Sequence, residues 1–286
     1  MAKDADGASR TWVRRAGQIF FVVFLLAVVA FAGQPSPVAQ ALAAGGVIIA
    51  FAHGVFAYGW RGILLFLAIC LTVTFATENL SIATGFPFGH YHFEVGSALP
   101  HVGAVPIIVG LLYFAMGYFS WMIASLLLEK ADQHLDRAFN VVALPVVAAF
   151  VVTQWDLVMD PPSATLDRAW IWHDGGGYFG VPLSNYLGWY LTVWLFFQAF
   201  AIAVHFRPGL VRPRTRGFWL IPILVYVAVA LSHAGSWLTG AGGDVVDAAG
   251  RIWRAQDLRD TILIVMVFTM LFTSVLALLR WIAMKE

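Results

Sequence analysis

The chain has 286 residues, of which 60% are hydrophobic and only 12% charged, and its mean hydropathy is +0.80. A soluble domain carries about a quarter charged residues, so this composition excludes a soluble fold and predicts an integral membrane protein. The fold class that follows is all-α, a polytopic transmembrane helical bundle, because lipid offers no partner for unpaired backbone groups. The net charge of +1 and the absence of a basic stripe argue against nucleic acid as a partner.

Hydropathy predicts about eight transmembrane spans in a single domain, residues 1–286, and each span is near the ~20 residues that a bilayer requires. The number becomes seven if the first span is a cleaved signal peptide, but its apolar stretch is long for one. The predicted spans are residues 17–33, 39–58, 62–77, 104–128, 139–157, 186–205, 217–238 and 261–282.

The connecting segments differ in charge on the two sides of the predicted bundle. Most of the 17 lysine and arginine residues fall in the N-terminal segment and in the short loops on the same side. Because such residues concentrate in cytoplasmic segments, we expect a multi-pass protein of the cell (inner) membrane with a cytoplasmic N-terminus. Two long loops on the other side, residues 78–106 and 156–189, interleave glycine, proline and aromatic residues, which is typical of ordered loops.

Three carboxylic acids mark the start of these loops. Glu78 ends the third predicted span, and Asp156 and Asp160 end the fifth, so all three should lie on one side at similar depth. Asp156 and Asp160 share one helix face because they are four residues apart. Ionisable residues near lipid are costly and suggest a functional site, and a carboxylic acid beside a carboxylate can act as general acid and base. The alternative is that they are ordinary acids at a water interface.

Histidines in the long loops raise a second hypothesis, a zinc site. His90, His92 and His173 could combine with Asp156 and Asp160 as nitrogen and oxygen ligands. Their spacing matches no metal-binding motif such as HExxH, so our primary expectation is no metal. There is also no P-loop and no GxGxxG after a strand, and we therefore expect no cofactor.

Aromatic residues crowd the predicted carboxylate region. Tryptophan and tyrosine gather at membrane interfaces for general reasons, but so many beside acids also suggest a binding wall. Aromatic faces attract cations and can line an apolar site for a long, flat polyene. The residues concerned are Trp155, Trp170, Trp172, Tyr178, Tyr186 and Trp189.

Two blocks of the sequence carry a distinctive pattern of acids, glycines, prolines and aromatics. They are Glu78-x5-Thr84-Gly85-x-Pro87-Phe88-Gly89-x-Tyr91, and Trp155-Asp156-x3-Asp160-Pro161 with Trp170-x-Trp172 and Gly177-Tyr178-Phe179-Gly180-Val181-Pro182-x2-Asn185-Tyr186-x-Gly188-Trp189. This pattern resembles the integral-membrane carotenoid hydratases, of the bisanhydrobacterioruberin hydratase and carotenoid 1,2-hydratase type. The resemblance covers most of residues 60–240.

The resemblance implies an enzyme that adds water to the terminal C1=C2 double bond of an acyclic carotenoid end and gives a tertiary alcohol, without a cofactor. Asp156 or Asp160 would donate the proton, and Glu78 would position water. His90, Tyr91, His173 and Asn185 would support them by hydrogen bonds. The implied partners are a carotenoid substrate, water, the lipid bilayer and other enzymes of the carotenoid pathway.

Three other functions remain open on the sequence. An intramembrane zinc-dependent lipid hydrolase would use the histidines as ligands. A transporter or channel would use protonatable groups, although those usually lie near the bilayer midplane rather than at helix ends. A non-catalytic carotenoid- or lipid-binding membrane protein would bind the polyene and release it unchanged.

Overall fold

The computed structural model describes residues 2–33 and 35–284, and most of them are helical. Within these described residues, six helical stretches are long and apolar enough to cross a membrane, by length and composition, and Arg15–Phe31 is a shorter apolar helix. The predicted all-α, polytopic bundle is thereby confirmed. The helices are α1 (Ala2–Phe31), α2 (Pro37–Thr84), α3 (Ile107–Leu127), α4 (Ala138–Pro161), α5 (Leu183–His205), α6 (Leu220–Thr239), α7 (Ala255–Met266) and α8 (Phe272–Ala283).

Helix α2 contains two membrane-length arms that reverse direction at Gly59. Gly59 has φ +67° and ψ 171°, a backbone conformation that glycine adopts without strain. A Cβ atom on Gly54 would lie 2.3 Å from Cδ1 of Ile63, whereas residues nine apart in a straight helix are separated by about 13 Å. The arm before Gly59 therefore folds back against the arm after it. The two arms correspond to the predicted second and third spans.

Short strands, which the sequence did not indicate, order the long loops. Strand β1 (Tyr91–Phe93) pairs antiparallel with β4 (Trp170–Trp172), and so joins the first long loop to the second. Strand β2 (His101–Val102) pairs with β3 (Val105–Pro106), and β5 (Asp244–Val246) pairs with β6 (Ile252–Arg254). Runs of two or three residues are too short to show a strand pattern in a sequence.

The first long loop begins later than the sequence suggested, because α2 continues to Thr84. Glu78 therefore lies inside a helix and not at its end. Ser81 then fastens the loop back onto α2: its hydroxyl donates to the carbonyl of Gly89 and accepts from the N–H of Phe88, at 2.9 and 3.1 Å. Asn79 does the same for the β2–β3 turn, where its side chain donates to the carbonyl of Val102 at 3.0 Å.

The second long loop also begins later than predicted. Helix α4 extends to Pro161, and a π-helical turn over Pro162–Leu166 continues it. Asp156 and Asp160 are consequently enclosed by neighbouring helices instead of projecting from a helix end.

A buried ion pair fixes the opposite end of the bundle. Arg214 precedes α6, and its Nη1 lies 2.5 Å from Oδ2 of Asp132, with both side chains at most 1% exposed. Asp132 also accepts hydrogen bonds from Tyr58 at 2.6 Å and from Ser125. Nη2 of Arg214 donates to the carbonyl of Ala57 at 3.3 Å. The pair thus connects the turn at Gly59 of α2 to the segments between α3 and α4 and between α5 and α6.

We expect Arg214→Met to destabilise the protein by about 3–5 kcal/mol, because Asp132 would keep a buried charge without its partner. The measurement is the free energy of unfolding from denaturant titration of the protein in detergent micelles. Arg280→Met is the matched control, since Arg280 pairs with Glu129 at 2.7 Å on the surface. That exposed pair should contribute at most about 1 kcal/mol. Equal losses in the two variants would contradict a special role for the buried pair.

Candidate active site

The three carboxylic acids of the long loops meet in one buried place. Glu78 is 4% exposed, and Asp156 and Asp160 are each 1% exposed. All three line a cavity of about 770 Å³. The alternative that they are ordinary acids at a water interface is therefore wrong. Their burial follows from the continuation of α2 and α4 beyond the predicted ends.

Asn185, in the first turn of α5, joins the two aspartates. Its side-chain nitrogen donates to Oδ2 of Asp160 at 2.7 Å and to Oδ2 of Asp156 at 3.0 Å. The spacing of four residues on α4 puts both carboxyl groups on the side that faces α5. One amide group thus sets the relative position of the two carboxyls.

The remaining oxygens of the aspartates differ in their contacts. Oδ1 of Asp160 accepts a hydrogen bond from Nε1 of Trp170 at 2.5 Å. Oδ1 of Asp156 is buried and has no hydrogen-bond partner within the described residues. A buried polar atom without a partner costs free energy and usually has a functional explanation. Asp156 is therefore the carboxyl group with an oxygen free to meet a ligand.

Glu78 is held on the other side of the cavity by two tyrosines. Its Oε1 accepts a hydrogen bond from the hydroxyl of Tyr113 on α3 at 2.7 Å, and its Oε2 accepts one from the hydroxyl of Tyr91 on β1. Glu78 and Asp160 are close enough to interact electrostatically. The three carboxyl groups thus form one cluster, which we call the carboxyl cluster.

The β1–β4 ladder explains which loop residues reach this cluster. Side chains alternate between the two faces of a strand, and Tyr91 is paired with Trp172 and Phe93 with Trp170. These four side chains line the cavity. His92 lies between Tyr91 and Phe93, so it points away and is exposed.

Aromatic rings close the cavity around the carboxyl cluster. Trp189 stacks on Tyr113 with ring centroids 4.0 Å apart, and Trp155 meets Trp189 edge to face at 5.9 Å. Tyr91 packs on Trp172 at 4.7 Å. The π faces of these rings give the site an apolar wall with negative partial charge.

Tyr178 and Tyr186, predicted as binding residues, do not line the cavity with the other aromatics. They pack on each other edge to face at 5.6 Å, and the hydroxyl of Tyr178 donates to the carbonyl of Leu157 at 3.3 Å. Burial raises the pKa of Tyr178 to about 12, so it stays a neutral donor. Through this hydrogen bond, the Tyr178–Tyr186 pair contacts α4 outside the cavity lining.

The predicted histidines lie elsewhere. His90 contacts Asp174 at 3.3 Å, and His92 lies 2.7 Å from His173 and 3.0 Å from Glu94, all at the exposed outer face of the ladder. The structure therefore does not bring His90 and His173 to the carboxyl cluster. Within the described residues no group of three histidine, cysteine or acidic side chains is placed to hold a metal, so the zinc set of the alternative hypothesis is not assembled.

Several cavity residues had no signal in the sequence. Tyr113 sits in an uninterrupted apolar helix, where nothing marks it as the partner of Glu78. Phe88 and Phe93 lie in the first long loop, and the sequence assigned no role to either. The wall formed by α1 and the first arm of α2 was missed because those segments look like ordinary spans.

Comparison with known proteins supports a role in carotenoid chemistry. A family model described as carotenoid biosynthesis protein matches residues 38–248, which is more than half of the chain. The chain belongs to this family, and its function is therefore related to carotenoids. It is a multi-pass membrane protein by its apolar helices. The matched range contains all three acids of the carboxyl cluster.

A curated relative is also similar over part of its length. Bisanhydrobacterioruberin hydratase of Haloarcula japonica is 26% identical over 126 residues, which is 43% of this chain and 40% of that protein. The matched region spans less than half of the relative. No solved structure matches the chain.

We expect Tyr113→Phe to lower the free energy of unfolding by about 1–3 kcal/mol, because Oε1 of Glu78 would be buried without a donor. The check is denaturant titration of purified protein in micelles. Tyr190→Phe is the control, since that ring packs on Phe150 at 4.8 Å on another side of α5. A loss no larger in Tyr113→Phe than in Tyr190→Phe would contradict the hydrogen bond to Glu78.

Proposed function

We propose that the protein is a carotenoid hydratase, a carbon–oxygen lyase that adds water to the terminal C1=C2 double bond of an acyclic carotenoid end. The observation that carries this proposal is the carboxyl cluster at one end of a large apolar cavity. Membership of a carotenoid biosynthesis family and partial similarity to a hydratase support the substrate and the reaction class.

The first step is proton transfer to the alkene. The protonated carboxyl group of Asp156 gives its proton to the less substituted carbon, and the π electrons form the new C–H bond. The positive charge then rests on the tertiary carbon. Asp156 is favoured over Asp160 as the donor because its Oδ1 has no other partner, whereas Oδ1 of Asp160 is engaged by Trp170.

The surroundings favour a cationic intermediate. The cavity lining within the described residues includes three acids and no lysine or arginine. Rings of Trp155, Trp189 and Tyr113 offer π faces, each able to stabilise a nearby cation by about 0.5–2 kcal/mol. Because these groups are held in place before the reaction, they stabilise the developing charge without reorganisation.

The second step is capture by water. Glu78, fixed by two tyrosine hydroxyls, would orient a water molecule beside the cation. Water attacks the tertiary cation, and a carboxylate of the cluster takes the released proton. When Asp156, left as the carboxylate by the first step, is that acceptor, the proton donor is regenerated directly. The net reaction consumes one water and needs no redox cofactor.

The placement in the cell is part of the proposal. Most basic residues of the loops, among them Arg61, Lys130, Arg137 and Arg280, lie at the end of the bundle opposite the carboxyl cluster, whereas Arg168, Arg251, Arg254 and Arg259 lie at the same end as the cluster. With that end in the cytoplasm, the N-terminus is cytoplasmic and the carboxyl cluster lies near the outer face of the cell membrane. Other enzymes of the carotenoid pathway would supply substrate through the bilayer.

Asp156→Asn should reduce hydration by at least about 100-fold, because the amide cannot donate an acidic proton. The test is co-expression with enzymes that form lycopene, followed by chromatography and mass analysis of the pigment. The wild-type protein should give a more polar pigment whose mass is raised by one water for each modified end.

Asp174→Asn is the matched control, because Asp174 is also an acid of the second long loop but its side chain is 79% exposed. It should leave conversion within about twofold of wild type, as expected for a surface substitution. Membrane insertion of all variants is followed by their yield in the membrane fraction. If Asp156→Asn, Asp160→Asn and Glu78→Gln all keep full turnover, the acid mechanism is wrong.

The zinc hydrolase alternative makes the opposite prediction about the histidines. With His92 and His173 both changed to alanine, hydration should stay within about twofold, because both side chains are exposed on the outer face of the ladder. Pigment analysis in the same host measures this. Hydrolysis of lipid esters or amides that is lost in that variant, together with zinc in the purified wild-type protein, would favour the hydrolase. Pigment that binds but returns unchanged would favour a carrier.

A further inference from the structure

The cavity continues beyond the carboxyl cluster along helix α3. Its α3 lining recurs at the helical period and runs from Ile108 to Phe119; Tyr113, which binds Glu78, lies within this run, and the part from Tyr113 to Phe119 spans about 9 Å at the rise of an α-helix. The lining over the whole run is apolar apart from Tyr113 and consists of Leu112, Ala115 and Met116 among others. A site for water and a proton alone would not need this length.

The space exists because the facing wall is built from small residues. On the first arm of α2, the cavity is lined by Ser36, Ala39, Ala43 and Gly46, which follow one another at three- or four-residue spacing on one face. A Cβ atom placed on Gly46 would meet nothing within 4 Å. The wall is therefore a groove in α2 rather than an accidental gap between large side chains.

Helices α1 and α6 complete the enclosure. Phe24 and Val28 on α1 and Val225 and Val229 on α6 line the same cavity, while Phe24 packs beside Gly45 of α2. These four side chains are apolar, whereas Ser36, Gln40, Ser232 and His233 are polar members of the same lining. Because most of the lining residues are apolar, an apolar chain is complementary to most of the cavity.

We propose that this groove is the binding channel for the polyene tail of the substrate, with the small residues of α2 selecting for a long, flat hydrocarbon. This inference rests on the proposed function for the identity of the reacting end. The terminal alkene lies at Asp156, and the conjugated chain runs along α3 between the first arm of α2 and α6. Since the channel continues only about 9 Å along α3 from Tyr113 to Phe119, the rest of a long chain stays in the bilayer.

The test fills the groove without touching the carboxyl cluster. Ala43→Phe places a ring in the channel, while Ala44→Phe adds the same ring at the adjacent, exposed position on the lipid-facing side of α2. Binding of lycopene to purified protein in micelles is followed by quenching of tryptophan fluorescence. We expect Ala43→Phe to weaken lycopene binding by at least about tenfold, because hydrocarbon pockets discriminate by that much on shape. Ala44→Phe should bind within about twofold of wild type.

Gly46→Leu is the second groove variant, since a side chain there meets open space and should not disturb folding. Elution as a single species in size-exclusion chromatography checks each variant. If either correctly folded groove variant binds lycopene as wild type does, the channel assignment is overturned. If the wild-type protein binds lycopene through the groove but never hydrates it, the channel stands and the proposed reaction fails.

Discussion

Three carboxyl groups are enclosed in a largely apolar cavity whose described lining has no lysine or arginine, and the half of the bundle that holds them depends on how their hydrogen bonds are satisfied. Removing such groups from water is costly unless neutral donors replace the lost hydrogen bonds. The donors are Tyr91, Tyr113, Trp170 and Asn185, which come from four different elements. Each hydrogen bond therefore joins a loop or helix to α2 or α4. The hydrogen bonds from Tyr91 and Trp170 to the acids therefore help to hold the two long loops in place.

The buried acids at the two ends of the bundle differ in their charged and hydrogen-bonding partners. Asp132 faces Arg214 at 2.5 Å and has donors on both oxygens, so its charge is neutralised and held in place. The described lining of the cavity around Asp156 has no lysine or arginine, and Asp156 keeps one oxygen without a hydrogen-bond partner. The first arrangement suits a structural tie between connecting segments. The second suits a group that exchanges a proton with a ligand, at the place where the cavity meets the aromatic wall.

The helical bundle and the three candidate acids could be predicted from the sequence, because both depend on local patterns. Apolar runs of span length predicted the helices, including separate second and third spans at residues 39–58 and 62–77. The i, i+4 spacing predicted that Asp156 and Asp160 would share a face. Burial of Glu78 was not predictable, since it depends on α2 continuing past the apolar run to Thr84.

Long-range pairing decided the remaining parts of the site. His92 looked like a neighbour of the acids because it follows Tyr91, but the two-residue period of β1 turns it outward. The pairing of β1 with β4 cannot be predicted from either segment alone, and this pairing brings Tyr91 beside Trp172. Tyr113 and the small residues of α2 became site residues only through packing of helices distant in sequence.

The central claim is that a carboxyl group of the cluster delivers a proton to a terminal alkene whose tail lies in the cavity. An experimental structure of the Asp156→Asn variant with a bound acyclic carotenoid tests it most directly. The account predicts the terminal double bond in van der Waals contact with the side chain of residue 156, and the polyene along α3. A polyene bound outside the bundle, or with its terminal alkene at the Phe119 end of the cavity, would contradict it.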